Sequence, residues 1–155
     1  MKLDGTDLKI LDALQNDGAL SSAQVAEKVG STQSPTWRRM SQLDADGVIR
    51  ERVAIIDRHK VGLNFMVYVF IRLKDQTYET VTSFQEHINL IDEVTHCHML
   101  MGDIDYLLSV VSRDLAHYQR LLRERISIIP GISGIDSRVV VEEAKSTTKL
   151  PLMKA

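Results

Sequence analysis

The stretch SSAQVAEKVGSTQSPTWRRMSQLDADG, Ser21 to Gly47, reads as two helices joined by a tight turn at Val29-Gly30-Ser31. Ser21-x-x-Gln24 is a capping-box pattern that opens the first helix. Val25, Ala26 and Val29 supply its apolar face, and Gly30 ends it. The second helix starts at Thr32 or Ser34. Pro35 is acceptable in a first turn, where its missing N–H has no helical partner. Gly47 closes this helix one turn after Leu43. The layout is that of a helix-turn-helix, whose second helix enters the DNA major groove.

At about 100° per residue the faces of the second helix separate. Trp37, Met40 and Leu43 fall on one side, which predicts Trp37 as a core residue. Ser34, Arg38 and Gln42 fall opposite, with Pro35 and Arg39 toward one edge. Ser34, Pro35, Thr36, Arg38, Arg39 and Gln42 are the candidates for DNA contact. Arg and Gln reach guanine and adenine edges through paired hydrogen bonds. The alternative is a solvated face or, for Arg39, a structural ion pair.

Upstream, Asp4 or Thr6 caps a first helix with Leu8, Leu11 and Leu14 on one face, and Gly18 stops it. Downstream, Val48 to Ile56 reads as a short two-stranded wing whose Arg50 and Arg52 would meet phosphates. Asp57 to Leu63 is polar and ends in a Gly turn, which marks a boundary. The expected division is a DNA-binding unit over 1–60, a linker over 61–64 and a second unit over 65–155.

The second unit alternates helical and strand patterns. Phe65 to Leu73 has period two and is apolar on both faces. Thr77 to Asn89 is helical. Val94 to Met101 and Tyr106 to Ser112 are strands around Gly102-Asp103-Ile104-Asp105. Asp114 to Ile128 is helical until Pro130-Gly131, and Ile132 to Val141 is a last strand. The order βαββαβ is the ferredoxin-like arrangement, two helices over one face of an antiparallel sheet. The fold class is therefore α+β, a winged helix-turn-helix followed by a ferredoxin-like domain. The uncovered sheet face, with Met66, Tyr68 and Phe70, calls for a partner, and a homodimer is expected.

Composition sets the bounds. The 155 residues are 44% hydrophobic and 26% charged, with a net charge of −2; these values are ordinary for a globular protein. Residues 1–27 carry two lysines against five acids, while residues 28–60 carry seven basic residues against four acids. Positive charge thus begins at the recognition helix, a local footprint for DNA that ordinary surface charge also explains. No apolar run reaches the roughly 20 residues of a membrane helix, and the first ten residues lack a signal-peptide core. The single cysteine, Cys97, permits no intrachain disulfide and suits a reducing cytoplasm. No nucleophile elbow, phosphate loop or dinucleotide fingerprint is present, so no enzyme and no cofactor are expected.

His96-Cys97-His98 invites a metal reading. On a strand the two histidines share a face, but two ligands fall short of a four-coordinate zinc site. Buried or dimer-face histidines are the simpler account, and no metal site is assigned.

The whole resembles the Lrp/AsnC (leucine-responsive/asparagine-type) transcriptional regulators. The resemblance is carried by LDGTDLKILDALQNDGALS at the start, the helix-turn-helix from Ser22 to Ser41, LDADGVIRERVAIID after it, GDIDYLL from Gly102 and PGI from Pro130. KSTTKLP, Lys145 to Pro151, is similar to the tail of a bacterial branch of that family. The resemblance implies double-stranded DNA as a partner, dimers through the second unit that assemble into octamers (tetramers of dimers), and an amino acid or related metabolite as effector. It places the effector at Gly102, Asp103, Asp105 and Tyr106, with Thr147 and Thr148 completing the cleft. An ammonium needs an acceptor such as Asp103 or Asp105, and a carboxylate needs N–H donors such as those near Gly102. Gly102 and its acids also suit an ordinary solvated turn. An architectural DNA-wrapping protein without ligand gating is the competing function.

Overall fold

Asp4 caps the first helix, α1 (Gly5–Asn16), in both directions. Its carboxylate accepts from the N–H groups of Thr6 and Asp7, and the Asp7 carboxylate accepts from the Asp4 N–H. The expected capping box at Ser21 and Gln24 opens α2 (Ser22–Val29) in the same reciprocal way. Gly30 then turns the chain with φ of 69°, the left-handed conformation that costs glycine least. The third helix, α3 (Gln33–Ala45), follows at once. These contacts come from a computed structural model that describes residues 2–152.

The three helices enclose a small core of Ile10, Leu11, Leu14, Val25 and Leu43. Trp37 is not part of it: 62% of its surface is exposed. The expected seam centred on Met40 is displaced. Thr36 and Leu43 are the buried residues of α3, and both lie on the far side of Met40 from Trp37. Trp37 therefore flanks the outward face. The expected wing is also absent as paired strands, since Val48 to Ile56 forms no ladder. Nothing between Val48 and Ile56 is Gly, Pro, Asn or Asp, so the segment lacks the residues that reverse a chain tightly.

The chain divides into two compact units, one up to Ile55 together with the segment from Lys145 onward, the other Ile56–Ala144. The tail was expected with the second unit. Instead, Leu152 packs against the small helical core. Gln15 clasps the tail backbone, its Oε1 accepting from the Leu150 N–H at 2.6 Å and its Nε2 donating to the Leu150 carbonyl at 3.3 Å. Lys149 pairs with Asp12 at 2.9 Å and reaches Asn16. A three-helix core of this size buries little, and an added apolar anchor is physically favourable.

The second unit is a four-stranded antiparallel sheet with β1 (Phe65–Leu73), β2 (Val94–Met99), β3 (Tyr106–Ser112) and β4 (Ile132–Val139) in the order β2-β3-β1-β4. Helices α4 (Tyr78–Ile88) and α5 (Leu115–Leu121) cover one face, and α5 ends in a π-helical turn, Leu122–Ile126. Val67, Val69 and Ile71 of β1 meet Leu108 and Val110 of β3, Phe84 and Ile88 of α4, and Tyr118 and Leu121 of α5. This is the expected βαββαβ order.

The other sheet face carries no element of this unit. Register places His98, Leu107, Phe70 and Asp136 in one row, and His96, Ser109, Tyr68 and Arg138 in the next. Tyr68 is 40% exposed, while Phe70 lies beneath the Arg138 guanidinium at 4.7 Å.

Candidate nucleic-acid interface and effector turn

Thr32 caps α3 by backbone geometry only, without a side-chain hydrogen bond. Its first-turn N–H groups thus have no local side-chain acceptor, the arrangement that phosphates satisfy in DNA-bound helices. Pro35 sits in this first turn, as expected. Ser34, Arg38 and Gln42 are exposed, and they lie within one sector of the helix. Gln42 donates to Asp46 Oδ1 at 2.7 Å, one turn on.

Two expected contacts point elsewhere. Thr36 is buried, and its hydroxyl donates to the Thr32 carbonyl at 2.8 Å. A side chain committed to its own helix backbone cannot reach a base. Arg39 is held by Asp4 at 2.8 Å and by the buried Asp7 at 2.7 Å. It ties the start of α1 to the middle of α3, the structural ion pair that stood as the alternative. The cap bonds from the Asp7 and Thr6 amides and the Arg39 guanidinium hold the Asp4 carboxyl below the usual range, the Asp7 amide contributing most.

Beyond α3, Arg52 bonds Asp44 at 3.1 Å, whereas Arg50 is exposed without a partner among the described residues. Trp37 was missed as an outward residue. Its signal was available: it lies one turn before Ser41 and beside Arg38 in the exposed sector.

The turn between β2 and β3 splits by role. Gly102 and Asp103 are exposed. Asp105 is buried, its Oδ2 accepting from the Leu73 N–H and its Oδ1 from Gln76 Nε2, each at 2.7 Å. Tyr106 is also buried. It packs on Phe84 with ring centroids 4.5 Å apart and accepts from Gln85 Nε2 at 2.9 Å. Burial pushes the Tyr106 phenol up. Asp105 and Tyr106 therefore brace the turn from within and offer a ligand little. Arg72 Nε donates to the Asp103 carbonyl at 3.2 Å, leaving the Asp103 carboxylate outward. Thr147 and Thr148 are exposed in the tail, which groups with the helical unit.

A winged helix-turn-helix DNA-binding family model matches residues 3–50, and the Lrp/AsnC ligand-binding domain matches residues 66–150. The chain belongs to the Lrp/AsnC family. It is a DNA-binding transcriptional regulator with a ligand-binding domain, and its relatives are regulators rather than enzymes. Among the relatives of this Lrp/AsnC regulator, the glutamate uptake regulatory protein of Zymomonas mobilis is 38% identical over 97% of this chain and 92% of that protein. The Bkd operon transcriptional regulator of Pseudomonas aeruginosa is 37% identical over 97% and 99%. An AsnC family regulator from Agrobacterium tumefaciens superposes with a TM-score of 0.92 at 40% identity, covering 96% of this chain and 97% of that one. A Neisseria meningitidis regulator solved with L-Met superposes at 0.93, with 29% identity and 97% of both chains covered. No helix among the described residues of this family member is long and apolar enough to cross a membrane.

Proposed function

We propose that this regulator reads operator DNA with Ser34, Arg38 and Gln42 as base or groove contacts, Trp37 beside them, and Pro35 and Arg50 near the backbone. The observation that carries the reading is the shared outward sector of α3, against the inward commitment of Thr36 and Arg39. Arg38→Ala and Gln42→Ala each remove a contact worth about 1–3 kcal/mol. Each is expected to weaken operator binding in a mobility shift assay by roughly tenfold or more. Unchanged binding by both variants would overturn the assignment. Equal affinity for operator and random DNA, with a steep salt slope, would favour the architectural function instead.

The same regulator works as a dimer through the open sheet face, with further assembly to an octamer, inside the cytoplasm. Support comes from Tyr68, Phe70 and Leu107, which lie in adjacent rows of the face that no helix of this unit covers. A dimer presents two recognition helices to a symmetric operator.

Its effector is a small amino acid held at Gly102 and Asp103, whose carboxylate suits an ammonium. The L-Met complex of the Neisseria relative and the glutamate uptake regulator of Zymomonas support an amino-acid class. Thermal shift against the twenty amino acids is the direct test. One of them raises the melting midpoint with concentration, and Asp103→Ala abolishes the shift. No response to any of the twenty removes the amino-acid reading.

A further inference from the structure

His96 and His98 stand next to each other on the open sheet face, on the edge strand β2. Both are exposed, and their rings stack with centroids 5.9 Å apart and planes 24° from parallel. Cys97 between them turns to the other face and packs against the core. Neither histidine has an acid opposite it, since the register partners are Ser109 and Leu107. The only carboxylate in these two rows, Asp136, lies across β3 and β1 and is paired with Arg138.

The His96 ring is oriented by a relay of hydrogen bonds. The Thr95 hydroxyl gives its single proton to the Ser109 carbonyl at 3.2 Å. The same hydroxyl lies 3.2 Å from His96 Nδ1. In the tautomer with Nδ1 protonated, this contact leaves the lone pair of Nε2 free for a metal. A hydrogen bond to the far ring nitrogen is the device that fixes tautomer and aim in metal-binding histidines.

We infer that His96 and His98 form a chelating pair for a divalent late first-row metal such as Zn2+ or Ni2+. Two imidazoles two positions apart on a strand stand about 6.6 Å apart at their backbones. Metal–nitrogen bonds of about 2.0–2.1 Å bring the two Nε2 atoms to roughly 3.3 Å in tetrahedral geometry. Within one chain both side chains are exposed, so χ rotation alone brings the two nitrogens to that distance. Imidazole is a donor that these metals prefer over Mg2+ or Ca2+. No group of three or more His, Cys, Asp or Glu suited to a metal occurs among the described residues. The remaining positions fall to water, or to the same pair from a second copy docked on this face.

The test uses the tag-free full chain. Calorimetric titration with Zn2+, and retention on immobilised Ni2+, are compared for the unchanged protein, His96→Gln, His98→Gln and the control His87→Gln. Binding is expected in the unchanged protein and in the control. Each of the two pair variants should weaken it by about tenfold or more. All three substitutions lie at exposed positions, and an unaltered melting midpoint checks that the fold persists. One metal per chain means water completes the site, and one per two chains means two copies share it. Sedimentation without metal measures the dimer separately, so failure of dimerisation and failure of chelation are told apart. No binding at millimolar Zn2+, or equal binding by the pair variants, overturns the inference.

Discussion

Arg39 shows how one side chain trades DNA contact for architecture. Its guanidinium joins the buried Asp7 to the cap residue Asp4, so removing it strands a carboxylate inside the helical unit. Asp7 keeps one bond, from the Asp4 N–H, and the guanidinium is half in solvent. Arg39→Ala is therefore expected to cost about 1–2 kcal/mol, read from urea unfolding followed by helical circular dichroism. The same cluster gives a pH dependence. The folded Asp4 carboxyl is held below its ordinary value, chiefly by the Asp7 amide and next by Arg39. Its contribution is complete above about pH 4 and is lost as pH falls through the lowered value. Acid titration of the unfolding midpoint should show this loss, reduced in Arg39→Ala. The tie to Asp4 was not legible from helical periodicity, which sets a residue's direction on its own helix and not what stands opposite.

At the scale of elements, the tail and the β4 entry make the sharpest statements. Gln15→Ala removes both hydrogen bonds to Leu150. The expected result is faster amide exchange at Leu150 and Lys149 and a loss of about 1 kcal/mol from the helical unit. If exchange there is unchanged, the clasp is not what holds the tail. Gly131 precedes β4 with φ of 90°, and a Cβ there would stand 2.6 Å from Thr80 Cγ2. Gly131→Ala meets both backbone strain and a clash, so a cost of about 2–4 kcal/mol is expected by thermal unfolding. Caps, strand alternation and the βαββαβ order were readable because each is a local property of neighbouring residues. The winged helix-turn-helix assignment holds, but Val48 to Ile56 pairs into no ladder, because apolar ends and charged middles describe an exposed extended segment as well as a hairpin.

For the whole molecule, the open sheet face is the proposed dimer surface. Tyr68 and Phe70 alternate with the buried Val67, Val69 and Ile71, so a substitution at Tyr68 alters the face without touching the core. Tyr68→Glu is expected to shift the sedimentation coefficient from dimer toward monomer and to weaken operator binding with it. Retention of the dimer in this variant would place the interface elsewhere. The chain crosses between the units twice, after Ile55 and after Ala144.

Local chemistry in the chain fixed the helix-turn-helix, the ferredoxin-like order, the outward direction of Ser34, Arg38 and Gln42, and the resemblance that named the family. Each follows from spacing, because helical and strand periods decide which way a side chain points. Partnership was settled only by the folded chain. Thr36 and Arg39 turned inward, Asp105 and Tyr106 brace the turn where they were expected to meet the effector, and the tail joined the helices. Those outcomes depend on which distant residue arrives opposite. Sequence separation conceals that, and packing of a small core against whatever apolar anchor and counter-charge the rest of the chain supplies decides it.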